Sequence, residues 1–190
     1  MFPSSMTNKY DISSVAAAED LPAGPGSYAL IVAVLRPMAV PFPGKGRAIL
    51  PEGYYLYAGS AKGPGGIRAR TRRHLKGAKP IHWHVDRLTN ANGVAMVLAF
   101  PGGAECGLLE RVANWPGVSF PAPGFGSTDC RSCPSHLVKL AEGFAVDGLD
   151  SNEPGGPVLV GDMTEGGGGN EAVIWRAPPV RCFWSPPASS

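Results

Sequence analysis

The chain has 190 residues, 44% of them hydrophobic, enough for one core of ordinary domain size. No window reaches the ~18 apolar residues that a membrane span needs, and residues 1–20 lack a basic start followed by an apolar run. A transmembrane or exported protein is therefore not expected, and the cytoplasm is the expected location. The formal net charge of +2 hides a segregation: Lys62 to Arg87 holds eight basic residues and one acid, Asp86, whereas Leu140 to Trp175 holds seven acids and no Lys or Arg. A basic middle suits an anionic partner; a solvated helix face is the plainer alternative.

Gly (26) and Pro (20) together reach about twice their usual share, and they crowd toward the ends. Residues 1–22 read as a flexible leader and 23–145 as the folded domain. Residues 146–190 read as an acidic, largely disordered tail, with a docked segment around Val173-Ile174-Trp175. Ser27–Leu35 is a short apolar run bounded by Pro and Gly, the pattern of a buried strand. Met38–Phe42 and Arg47–Leu50 flank Pro43-Gly44-Lys45-Gly46 and predict a hairpin. Tyr54–Ala58 predicts another strand, and Gly59–Gly66, with its glycines and proline, a loop.

Ile67–Lys76 predicts a helix: Ile67, Thr71, His74 and Leu75 form one stripe, and Arg68, Arg72 and Lys76 a second that faces outward. His82–Leu88 predicts a short helix, Val94–Phe100 a central strand, Ala104–Asn114 a helix, Gly124–Ser132 a loop and Ser135–Ala141 a last strand.

Several side chains carry chemistry. Arg70 and His74 share a helix face by spacing, and Arg70 borders the apolar stripe. A cation directed inward needs a partner; a planar guanidinium suits a phosphate, and a structural carboxylate is the alternative. Tyr28 and Tyr57 lie on two candidate neighbouring strands. As a general base a phenol is handicapped, since with a pKa near ~10 only about 0.1% is ionised at pH 7, so a nearby cation or metal-bound water must help. Otherwise both are core aromatics. Glu105 precedes Leu108, Leu109 and Val112 on one helical stripe, which makes it the best metal-ligand candidate; a carboxylate favoured by the helix dipole is the alternative. His82 and His84 follow the Arg70 helix and can contact phosphate.

Cys130-x-x-Cys133-x-x-His136, with Cys106 as fourth ligand, fits a zinc site; buried thiols, or a direct active-site role for His136, stand beside that reading. Cys182 has no evident partner. Gly59–Gly66 can cradle phosphate at a helix N-terminus, but it is not a P-loop, because the Gly-Lys-Ser/Thr is missing.

Gly26-Ser27-Tyr28, Tyr57-Ala58-Gly59, Arg70-x-x-x-His74 and Glu105, in that order, resemble the GIY-YIG nuclease superfamily over roughly Gly24 to Leu140. The blocks His82-Trp83-His84-Val85-Asp86, Glu105-Cys106, Gly124-Phe125-Gly126-Ser127-Thr128-Asp129-Cys130 and Ser135-His136-Leu137 resemble a branch found alone or fused to helix-hairpin-helix DNA glycosylases. The resemblance implies an α+β fold, a small antiparallel sheet flanked by helices. It implies a DNA endonuclease working with one Mg²⁺ or Mn²⁺, in repair or processing. Tyr28 and Tyr57 would position and activate water, Arg70 would stabilise the pentacovalent phosphate, His74 would support it or accept a proton, and Glu105 would bind the metal.

Gly59, Ser60, Lys62, Arg68, Arg72, Arg73, Lys76, His82 and His84 are the expected nucleic-acid contacts, with DNA the expected partner, RNA an open second, and a DNA glycosylase an implied protein partner. Ser27 stands where Ile or Val is common and Ala58 where Ile is. The late asparagine of some members has no counterpart beyond His136 or Asp129. Two alternatives stay open: a non-catalytic nucleic-acid-binding module, and a zinc-stabilised interaction protein.

Overall fold

The computed structural model describes residues 12–15, 18–42, 46–128, 130–142 and 172–176. Asp129, Cys182, the turn at residues 43–45, and most of the leader and tail lie outside the described residues.

The fold is α+β. Among the described residues eight strands, β1 (Ile12–Val15), β2 (Gly26–Val34), β3 (Met38–Phe42), β4 (Gly46–Leu50), β5 (Gly53–Ser60), β6 (Met96–Pro101), β7 (Leu137–Lys139) and β8 (Ala172–Arg176), combine with three helices, α1 (Gly66–Leu75), α2 (His84–Asn92) and α3 (Glu105–Ala113). The main sheet runs β1-β8-β6-β2-β5-β7, and β3 and β4 form a separate hairpin. All pairings in the main sheet are antiparallel except β1 with β8.

β2 explains the sheet. Its apolar run does not alternate with polar residues because both faces are covered. Tyr28, Leu30 and Val32 pack on one face with Ile67 of α1, Val85 and Leu88 of α2, the β3–β4 hairpin and Phe125. Ala29 and Ile31 pack on the other with Leu108, Leu109 and Val112 of α3. The two strands beside β2 are each antiparallel to it, so the start of β2 and the ends of β5 and β6 meet at one end of the sheet: Ser27 is opposite both Ser60 and Phe100. The loops that enter α1 and α3 leave from that end, which is where a site can be assembled from four elements.

The elements follow the sequence expectations with small shifts at their ends. α2 begins at His84 rather than His82, because Asp86 caps it: its carboxylate accepts the N–H groups of Trp83 (3.0 Å) and His82 (2.9 Å), holding both outside the helix. The docked segment expected around Val173 is a strand paired with β6 on one side and β1 on the other. Ala18–Asp20 forms a 3-10 turn against α1.

Candidate active site and metal cluster

Tyr28 is opposite Gly59 in the β2–β5 ladder and Tyr57 is opposite Leu30, so the two phenols are diagonal neighbours on one face. The Tyr28 ring lies across Gly59, where a Cβ would stand 2.4 Å from its tip. The glycine of Tyr57-Ala58-Gly59 is thus a steric requirement of the tyrosine of Gly26-Ser27-Tyr28.

The Tyr28 hydroxyl lies 2.9 Å from Nε2 of His74, and Nδ1 of His74 lies 3.1 Å from Oδ1 of Asp86. Asp86 is fully buried, and its Oδ2 accepts from Arg73 (2.7 Å) as well as from His82 N and Trp83 N. Burial acts to raise its carboxyl, but the Trp83 and His82 N–H groups, Arg73 and His74 outweigh burial and hold it below the usual range. The His74 pKa also falls, which for an imidazole favours the neutral form: burial pushes it down from 6.5 to about 4 against the pull of Asp86, with Lys79 and Arg73 adding to the fall. His74 is therefore neutral near pH 7. A carboxylate only accepts, so the ring hydrogen belongs on Nδ1, and Nε2 offers its lone pair to the Tyr28 O–H. Tyr28 itself stays protonated, its pKa raised by burial and by Tyr57.

Lys79 closes the arrangement from behind. Its buried ammonium donates to the carbonyls of His74 (3.1 Å) and Lys76 (3.0 Å) at the end of α1, and to Thr89 (2.7 Å) and Asn90 (3.1 Å) of α2.

Through Tyr28 this chain reaches a cleft of about 550 Å³ that includes Tyr28, Tyr57, Arg70, His82, Trp83, His84, Glu105 and His136 in its lining. Tyr57 is buried, and burial followed by the charges of Asp86 and Glu105 pushes its phenol up to about 12. Arg70 lies half-buried with its guanidinium 4.4 Å from the centre of the Trp83 ring. Among the described residues no carboxylate is within ion-pair distance of Arg70. Glu105 is the first residue of α3, and its Oε2 is buried without a hydrogen-bond partner among the described residues. Gly59 and Ser60 line the same cleft.

The expected basic face divides. Arg73 is tied to Asp86 and to the Pro80 carbonyl (2.9 Å), and Arg68 donates to the Leu21 carbonyl (2.6 Å). Both are half-buried and give a donor to the fold. Lys62, Arg72 and Lys76 are exposed, Arg72 lying 3.9 Å from Glu19.

Beside Glu105, one ligating atom from each of Cys106, Cys130, Cys133 and His136 lies within 4.8 Å of the others, a group able to hold a metal ion. The Cys130 thiol is drawn down to about 5 by hydrogen bonds with Ser132 and Cys133, whereas burial pushes Cys133 up to about 12.

Asp86 and Lys79 are the residues that spacing alone did not single out. For Asp86 a signal existed: it is the one acid among eight cations, three residues after Trp83, where a carboxylate caps a helix.

The fold and cleft define an α+β domain with a tyrosine-histidine-carboxylate chain in the wall of a polar cleft. Residues 27–148 match the family model described as "Domain of unknown function DUF123", and the chain belongs to that family. No curated protein matches the chain, and no solved structure does. Among the described residues no helix is long and apolar enough to cross a membrane.

Proposed function

We propose that this protein is a divalent-metal-dependent endonuclease of the GIY-YIG kind that hydrolyses DNA phosphodiester bonds in repair or processing. The observation that carries the reading is the hydrogen-bonded chain Tyr28–His74–Asp86, ending in a cleft that also holds Arg70 and the Glu105 Oε2, which is unpartnered among the described residues. It removes the main difficulty of a phenolic base. Tyr28 need not ionise in advance: its oxygen accepts a proton from water while its own proton passes to Nε2 of His74. The resulting imidazolium keeps its Nδ1 hydrogen on the Asp86 carboxylate, which stabilises the new charge.

Water activated in this way attacks the phosphorus, and the guanidinium of Arg70 binds the non-bridging oxygens, where charge develops. Trp83 holds that guanidinium by stacking. The hydroxyl of Tyr57 orients the water.

Glu105 fits a divalent ion, because a buried carboxylate oxygen without a donor is costly unless a cation completes it. Mg²⁺ or Mn²⁺ there would have phosphate and water as further ligands and would supply Lewis-acid stabilisation of the departing 3′ oxygen. Exposed Lys62, Arg72 and Lys76 would meet the DNA backbone, with His82 and His84 at the mouth of the cleft.

The test is incubation of the protein with nicked, branched and abasic DNA in Mg²⁺ or Mn²⁺, beside Arg70→Ala and Glu105→Gln. Cleavage is expected from the wild type, with a loss of at least ~10²–10³ in each variant and retained DNA binding in Glu105→Gln. Binding without cleavage in either metal overturns the nuclease reading in favour of a non-catalytic module.

A further inference from the structure

The Cys/His cluster takes no part in that proton chemistry, and its geometry needs its own account. We infer that Cys106, Cys130, Cys133 and His136 form a closed tetrahedral zinc site that pins the first turn of α3 to the loop before β7. The four residues come from two places: Cys106 is the second residue of α3, and the other three span seven residues of the approach to β7. Their ligating atoms nevertheless converge within 4.8 Å of one another.

The separations suit an ion rather than a bond. The sulfurs of Cys106 and Cys130 are 3.5 Å apart, whereas a disulfide needs ~2.05 Å. A tetrahedron with Zn–S bonds of ~2.3 Å has an edge of about 3.8 Å, close to what the pair shows.

A second observation points to a ligand. His136 is 93% buried, given a relative exposure of 7%, and among the described residues its Nε2 has no hydrogen-bond partner. An imidazole nitrogen left without a partner among three thiols is costly as it stands and is satisfied by a metal bond.

The surroundings are those of a thiolate site. The backbone N–H of Cys133 donates to the Cys130 sulfur at 3.2 Å, as a loop does when it wraps a bound ion. His136 is placed by its backbone: its N–H donates to Phe125 O (2.8 Å) and its carbonyl accepts from Ala58 N (3.0 Å), next to Tyr57. Three soft sulfurs and one imidazole favour zinc over Mg²⁺ or Ca²⁺, and four protein ligands leave no open position for substrate.

The site stands apart from the nuclease reading. Only one consequence rests on that reading: Cys106 follows Glu105 directly, so the zinc also fixes the carboxylate that would hold the catalytic ion.

The test begins with elemental analysis of the full-length protein, purified in reductant and then reconstituted with Zn²⁺ without air. Near one equivalent of zinc is expected, unchanged in Glu105→Gln and lost in Cys130→Ser and His136→Ala. Because a ligand variant that loses its metal can also lose its fold, the wild type is examined with Co²⁺ as well. Thiolate-to-cobalt charge-transfer bands with the ligand-field absorption of a tetrahedral centre are expected. Folded, reduced protein that takes up neither ion, zinc retained in both ligand variants, or a Cys106–Cys130 disulfide formed in reductant overturns the assignment. Failure of DNA cleavage leaves these readouts untouched, and absence of zinc leaves the cleavage assay standing.

Discussion

The charge state of His74 can be measured before any substrate is known, and the relay depends on it. Burial pushes its imidazole from 6.5 to about 4. In that interval the unfolded chain binds a proton that the folded chain refuses, so this contribution is complete above pH 6.5 and is lost as the pH falls toward 4. At pH 4.5 the difference amounts to about 2–3 kcal/mol, from ~1.36 kcal/mol per pKa unit. Urea unfolding at pH 7 and at pH 4.5, wild type beside His74→Gln, measures it. The variant lacks the titrating ring, so comparing the two pH effects separates His74 from the other histidines and the carboxylates. NMR of the ring reports the site itself, and a neutral imidazole with its hydrogen on Nδ1 is expected at pH 6. Equal pH dependence in the two proteins, or a His74 midpoint above 6.5, refutes the reasoning, because an imidazolium has no lone pair to offer Tyr28.

Two further outcomes follow from the same geometry. Asp86→Asn keeps an oxygen for the Trp83, His82 and Arg73 donors but turns an amide toward His74, so the ring flips its tautomer and presents N–H to Tyr28. DNA cleavage is expected to fall by up to ~10⁴, with a stability loss of about 1–3 kcal/mol by urea titration; a rate close to wild type would remove Asp86 from the relay. Gly59→Ala forces its Cβ into the Tyr28 ring. Thermal unfolding should register about 1–3 kcal/mol of destabilisation, together with loss of the Tyr28–His74 hydrogen bond, and an unchanged midpoint would argue that the ring does not lie across the strand.

The strands and helices were legible because their causes are local. β2 is a continuous apolar run since two layers cover it, and α1 shows its buried stripe in Ile67, Thr71 and His74. The convergence of Tyr28, Tyr57, Arg70 and Glu105 on one cleft was legible only through the resemblance of motifs, as their separations in the chain carry no distance. What stayed hidden was the use of charge. Arg68, Arg73 and Lys79 count as cations in the sequence, yet each donates to a backbone carbonyl, Arg73 to Asp86 as well and Lys79 to Thr89 and Asn90. Which of eight basic residues remain free for an anion depends on how α1 meets α2, a tertiary fact. The geometry of the Cys/His cluster was hidden for the same reason: Cys106 is on a helix, and only folding brings it to the loop.

The order of strands at one edge of the sheet sets a timetable for assembly. β8 lies between β1 and β6, and among the described residues β1 has no other neighbour in the sheet. During synthesis Ile12–Val15 leaves the ribosome early but cannot pair until Ala172–Arg176 has followed and docked on β6. The central strands and the cleft need no such wait, since β2, β5, β6 and β7 all lie within Gly26–Lys139. Pairing between the two ends of the chain closes a long loop and so belongs to the slow part of folding. Until then the backbone edge of β6 stands open to any extended segment within reach, and the late arrival of β8 closes it.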